Sequence, residues 1–234
     1  MSQPLPAPSR RPSASADIGS STGAGAEQLR LDAQPAVLAD IYEGHVNLAV
    51  WRAGLPPSLR LAAQTLGQTQ PRLRLATSGS ATDLHAALRA GLPDEPANDA
   101  LLARLQLCVT LFAELLEPQR IGLRLEMLDR AMCPRFHVDH LAVRLVTTLC
   151  GPATQWLPEP AVDRRWLGRA GAFQSDETTG LLRERTAVQQ LQAGDVALLK
   201  GEGWVGNEGR GLVHRSPPVP AGERRLVLTL DTVA

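Results

Sequence analysis

From Ile121 onward the chain is written in short apolar runs that suit strands better than helices. Leu123-Arg124-Leu125-Glu126-Met127 alternates apolar with polar residues, and Ala142-Val143-Arg144-Leu145-Val146 does so in part. Residues 196–199, 211–214 and 225–231 continue the pattern, each bounded by Gly or Pro clusters. Successive side chains of a strand point to opposite faces, so such runs bury one face and stop at the turn residues beside them. Gln192-Ala193-Gly194-Asp195 is a turn signal opening one of these strands. The second half of the chain is therefore predicted to be a sandwich or barrel of short strands.

The first half reads differently. Leu101, Leu105, Cys108, Val109, Phe112, Leu115 and Leu116 recur at three- and four-residue steps, which predicts a helix over 98–116 with one buried face. Cys108 is then a small core residue and Pro118 ends the helix. Ser80-Ala81-Thr82-Asp83 has a hydroxyl cap and an acidic residue three positions on, a helix start that places His85 inside a helix as a surface or core-edge residue. A shorter helix is expected at 58–66, and strands at 46–51 and 73–76. Residues 1–34, rich in Pro, Ser, Gly and Ala, bury too little apolar surface to offset their ordering entropy and are expected to be a disordered tail. The fold class expected for 35–234 is a single α+β domain, with its β core at about 121–234 and the earlier helices packed on one side. Residues 157–187 are expected to form a long loop over one end.

Lys plus Arg and Asp plus Glu number 24 each, so the net charge offers no attraction to nucleic acid or an anionic membrane. The three cysteines, Cys108, Cys133 and Cys150, form no CxxC, which argues for a reducing compartment rather than a disulfide scaffold. No apolar stretch reaches the ~18–20 residues of a membrane span, and Arg10-Arg11 is followed by no apolar signal core. A cytoplasmic protein acting on a small-molecule or protein substrate is the expectation.

The sharpest chemistry lies in Cys133-Pro134-Arg135-Phe136-His137-Val138-Asp139-His140. Extended as a strand, this segment would set Cys133, Arg135, His137 and Asp139 on one face and His140 on the other. A His and a carboxylate two apart can grip one ion. The plainer alternative is a hydrogen-bonded His–Asp pair inside a β-barrel. His214 on a later strand offers a third ligand, and two His plus one carboxylate occupy one face of a metal, leaving open positions that suit Fe(II). Adding the Cys133 thiolate would instead close a tetrahedral zinc site. The glycine triplet Gly201, Gly203 and Gly206 matches G-x-G-x-x-G, but no helix and parallel strand follow, so it is expected to be a hairpin loop.

With these residues in place, the stretch from Leu123 to Asp231 resembles the Fe(II)/2-oxoglutarate-dependent oxygenases of the double-stranded β-helix (jelly-roll, cupin-like) fold. The likeness rests on His137-x-Asp139, the strand Arg144-Leu145-Val146-Thr147-Thr148-Leu149, Ala193-Gly194-Asp195-Val196 before the distal ligand, and His214-Arg215-Ser216-Pro217. The resemblance implies Fe(II) held by His137, Asp139 and His214, and an Arg ten or eleven residues beyond His214 binding the far carboxylate of 2-oxoglutarate. Arg225, which starts an alternating strand, fits that role better than Arg224. Val227 stands where the oxygenase pattern often has Ser, and the only Tyr is Tyr42. More narrowly, the whole chain beyond the expected tail resembles an uncharacterised bacterial family with a Cys-Pro-Arg-Phe-His-x-Asp signature, followed by Gly151-Pro152-Ala153-Thr154-Gln155-Trp156 and a terminal His-Arg-Ser-Pro. That likeness implies a link to zinc homeostasis. The alternative to an oxygenase is thus a non-catalytic zinc-binding protein using Cys133, His137, Asp139 and His214.

Overall fold

The computed structural model describes residues 28–168 and 175–233. Its regular elements run β1 (Leu29–Asp32), β2 (Leu48–Trp51), α1 (Pro57–Thr69), β3 (Arg74–Gly79), α2 (Ala81–Gly91) and α3 (Asp99–Leu116). They continue with β4 (Arg120–Leu128), β5 (Val143–Cys150), β6 (Gln155–Trp156), β7 (Gln189–Gln190), β8 (Val196–Lys200), β9 (His214–Arg215) and β10 (Arg225–Val233). A seven-stranded sheet has the order β1-β2-β8-β5-β10-β4-β3, antiparallel except for β1 beside β2. A three-stranded antiparallel sheet has the order β7-β6-β9. The protein is thus a mixed helix-and-sheet fold.

Alternation along the strands decides what each face of the large sheet meets. Leu226, Leu228 and Leu230 of β10, Leu123 and Leu125 of β4 and Leu145 of β5 pack with α1, α2 and α3 in one apolar core that includes Phe112 and Cys108. Each such fully buried side chain contributes roughly 1.5–3 kcal/mol. The opposite face carries Val50, Val146, Ala197, Leu199 and Val227, which pack against Ala153, Trp156, Leu191 and Leu212 around the small sheet. Trp156 is therefore a packing residue between the sheets. On this same face β10 also presents Arg225, Thr229 and Asp231, and β5 presents Arg144, so polar groups and core share one surface.

The helix punctuation is local. Ser80 Oγ accepts from the Asp83 N–H at 3.2 Å while the Asp83 carboxylate accepts from the Ser80 N–H at 2.9 Å, closing the capping box. At the end of α3, Glu117 turns left-handed with φ 43° just before Pro118.

Two boundaries differ from expectation. The tail does not extend to residue 34, because β1 pairs along β2 and the buried Gln28 accepts from Asn47 and Leu48 N–H at 2.9 Å. Those hydrogen bonds offset an ordering cost that composition alone could not show covered. Residues 1–27 lie outside the described residues. The sheet is also not confined to 121–234: β1 and β2 build one edge and β3 the other. Residues 201–210, which carry the glycine triplet, form turns with no helix. There an added Cβ would sit 2.0 Å from the Leu141 carbonyl oxygen at Gly201 and 2.4 Å from the His140 carbonyl oxygen at Gly203. The glycines let this loop lie against the segment bearing Asp139.

Gly151 and Gly206 make a matched test of close approach. Both have positive φ, 76° and 81°, but a Cβ at Gly151 would meet the Arg224 carbonyl oxygen at 2.3 Å, whereas none lies within 4 Å at Gly206. Gly206→Ala is expected to cost only backbone strain, about 1–2 kcal/mol. Gly151→Ala should cost about 3 kcal/mol or more, because the Arg224–Arg225 backbone must also move. Urea unfolding midpoints measure both, and equal losses would contradict the packing described.

Candidate metal centre

His137 and His214 form an antiparallel backbone pair. Each donates its N–H to the other's carbonyl at 3.0 Å, which appends His137 to the small sheet beside β9. Residues opposed in this way place their side chains on the same face, and the two imidazole centroids lie 4.6 Å apart. Of the segment 133–140 only His137 is paired; the rest is irregular, so the strand expected there is corrected to a single bridge residue. Pro134, which has no N–H, cannot join a ladder.

Asp139 completes a cluster. One ligand atom each from His137, Asp139 and His214 lies within 4.8 Å of the others. The two Nε2 atoms stand 3.8 Å and 3.5 Å from the Asp139 carboxylate oxygens, too far for good hydrogen bonds. Asp139 Oδ2 is buried with no hydrogen-bond partner, which disfavours a purely structural His–Asp pair. The imidazoles are preset by their own backbone: His137 Nδ1 lies 2.9 Å from the Arg135 carbonyl and His214 Nδ1 lies 3.0 Å from that of Leu212. Carbonyls only accept, so a neutral imidazole there carries its proton on Nδ1 and turns the Nε2 lone pair toward Asp139. Burial first, and then His137 nearby, pushes His214 down to about 4 against the pull of Asp139, so it stays neutral as a ligand must be. A carboxylate with one orphaned oxygen, set beside two such nitrogens, fits a divalent cation.

Further groups position this trio. Arg144 grips Asp231 with two bonds, at 2.7 Å and 3.0 Å, and donates a third at 3.0 Å to Asp139 Oδ1, leaving Oδ2 free. Asp176, buried, accepts from the Phe136 N–H at 2.7 Å and from Arg135 at 3.0 Å, and lies 3.7 Å from Arg215. It therefore ties the segments flanking both histidines to a third stretch of chain. Neither contact is written in the spacing of the sequence, and Asp176 falls in the stretch expected to be a long loop.

The cluster opens onto a narrow cleft lined by Cys133, His137, Arg144, His214, Ser216 and Arg225. Arg225 is only 2% exposed, and its guanidinium donates to three hydroxyls: Ser216 at 2.9 Å, Thr154 at 3.1 Å and Thr148 at 3.4 Å. Its Nε has no partner, and burial pushes its pKa down to about 10. A charge so buried, with hydroxyls instead of a carboxylate around it among the described residues, is set to receive an anion. Arg224 points elsewhere, pairing with Asp129 at 3.4 Å. Cys133 is exposed and stands outside the three-residue cluster. His140 also stays out, its side chain 90% exposed beside Glu202. No helix among the described residues is long and apolar enough to cross a membrane.

The chain belongs to the family described as Protein of unknown function (DUF1826), which matches residues 32–231. No curated protein matches it. Among solved structures, it is similar to a Pseudomonas putida prolyl-4-hydroxylase at 14% identity, covering 84% of this chain and 96% of that one with a TM-score of 0.42. It is similar to a rice dioxygenase for auxin oxidation at 15% identity, covering 86% and 77% with a TM-score of 0.46. A third is iron-bound HygX from Streptomyces hygroscopicus, at 12% identity, 80% and 82% coverage and a TM-score of 0.44. Likenesses this distant leave the function to be read from the side chains.

Metal titration followed by calorimetry tests the cluster. Asp139→Ala and His214→Ala are expected to abolish binding, and Arg144→Met to weaken it about 10–100-fold while every ligand remains. Cys133→Ala should bind like the wild type; loss of binding in that variant would put the sulfur among the ligands.

Proposed function

We propose that the two facing sheets are a double-stranded β-helix and that the protein is an oxygenase dependent on Fe(II) and 2-oxoglutarate. The observation that carries this reading is a single cleft lined by His137 and His214 of the His137–Asp139–His214 cluster and by a buried Arg225 that has no carboxylate partner among the described residues. Such an ion, when bound, supplies oxygen activation coupled to decarboxylation of the 2-oxo acid.

The chain's own part is positioning. The two imidazoles, oriented by the Arg135 and Leu212 carbonyls, and Asp139 Oδ2, freed by the Arg144 bond to Oδ1, would hold the ion. Arg225 would hold the far carboxylate of the cosubstrate by charge pairing. Val227 cannot supply the hydroxyl that often accompanies this arginine; Ser216, Thr148 and Thr154 supply hydroxyls from neighbouring segments. Val146, Leu199 and Val227 form a dry wall beside them, which strengthens the charge pairing. A closed zinc site would need Cys133 within the cluster, and it stands outside.

Anaerobic addition of Fe(II) and 2-oxoglutarate should produce the weak visible charge-transfer band of a chelated 2-oxo acid. Arg225→Gln should weaken 2-oxoglutarate binding about 10–100-fold with metal affinity unchanged. No band at saturating cosubstrate would refute the assignment.

A further inference from the structure

His137 has two sides. One faces the cleft with Arg225; the other lines a separate, open groove of about 490 Å³ together with Val138, His140, Arg164, Leu167 and Glu202. The residue types along this groove are informative about charge. Arg164 is matched by Glu159, which takes two bonds at 2.8 Å and 2.7 Å, and a further Arg164 N–H bonds the Gly211 carbonyl at 2.8 Å. The Glu159 carboxylate thus takes up most of this cation's charge, although its remaining Nη1 is buried with no partner among the described residues.

Glu202 is in the opposite position. Its N–H donates to the Asp139 carbonyl at 2.8 Å, and an added Cβ on Gly211 would lie 3.0 Å from its Cγ, so it is held against the metal-bearing segment. The side chain is 26% exposed, and its ion-pair contact is His140 at 3.5 Å, itself 90% exposed. Among the described residues, this pinned, three-quarters-buried carboxylate has a solvated imidazole as its ion-pair partner, and it lines the groove.

We propose that this groove is the substrate groove and that it takes an organic cation, a protonated amine or guanidinium, whose charge pairs with Glu202. The inference rests on the oxygenase reading, because the groove meets the metal cluster only at His137. Val138 and Leu167 cover the aliphatic stem of such a substrate, and Glu202, beside the Asp139 backbone, fixes the end of the stem relative to the cluster.

The test uses the full chain and three probes of one shape: Nα-acetyl-lysine methylamide, its uncharged norleucine analogue and its glutamate analogue. Amide chemical shifts of residues 137–140 and 201–204 read binding to the metal-free protein. The lysine probe should bind about tenfold tighter than the norleucine probe, the glutamate probe more weakly still, and Glu202→Gln should erase the difference. That variant keeps the side-chain shape, and an unchanged melting temperature confirms its fold; Glu202→Asp should keep part of the preference. Equal binding of the lysine and norleucine probes, or lysine-probe shifts confined to other surfaces, would overturn the inference. A second arm loads Mn(II), whose paramagnetism should broaden the lysine probe's side-chain protons in the wild type and not in Glu202→Gln. Mn(II) retained without any cation preference sinks the groove alone. Failure of Mn(II) to bind in the wild type sinks the oxygenase reading, and the substrate role of the groove with it.

Discussion

The reciprocal backbone bonds between His137 and His214 hold the site together. Two hydrogen bonds of 3.0 Å bring residues distant in sequence into direct opposition, and side-chain direction follows from the pairing itself. The Ser216 N–H bond to the Cys133 carbonyl at 2.9 Å and the Asp176 contacts hold 133–140 near β9, but only this pairing sets the two imidazoles on one face beside Asp139. The short sheet exists in part to make this pairing possible. Trp156, Leu191 and Leu212 anchor it on the large sheet, so packing energy far from the cluster sets the spacing inside it.

Two arginines on one face of the large sheet show how charge is divided. Arg144 is neutralised by Asp231 and Asp139, and its fork geometry sets which oxygen of Asp139 is left over. Arg225 is almost fully buried, yet among the described residues its guanidinium bonds only hydroxyls. Burying an ion without a counter-charge is costly, and hydroxyl dipoles compensate it incompletely. In the proposed function this buried cation, which shares a cleft with His137 and His214, is assigned to an incoming anion. The Asp139 oxygen without a partner makes the complementary demand for a cation. The proposed function answers both features, the partnerless carboxylate oxygen and the buried guanidinium, with a metal ion and a dicarboxylate.

Much of the fold was legible because its signals are local. The period of α3, the capping box at Ser80 and the alternation along β4 and β10 each arise within a few residues of chain. Alternation also favoured Arg225 over Arg224, and the two do face different ways. What escaped was non-local or very short. β1 is four residues whose stability comes from β2, and composition placed it in a tail. The strand expected at 133–140 shrank to one paired residue because Pro134 and the long-range contacts of Asp176 shape the segment more than alternation does. That loss of register also explains why Cys133, set on the same face as His137 by the strand pattern, is not brought into the cluster. The hydroxyls around Arg225, the Arg144–Asp139 bond and Glu202 come from segments that meet only in the folded chain, so no spacing announces them.

X-ray absorption at the iron edge, on protein loaded anaerobically with Fe(II), tests the central claim most directly: that the ion sits on two imidazoles and one carboxylate with an open face. The account predicts only nitrogen and oxygen neighbours at about 2.0–2.2 Å, with imidazole scattering beyond them and a changed oxygen shell once 2-oxoglutarate is added. A sulfur neighbour at about 2.3 Å would place Cys133 in a closed site and contradict it.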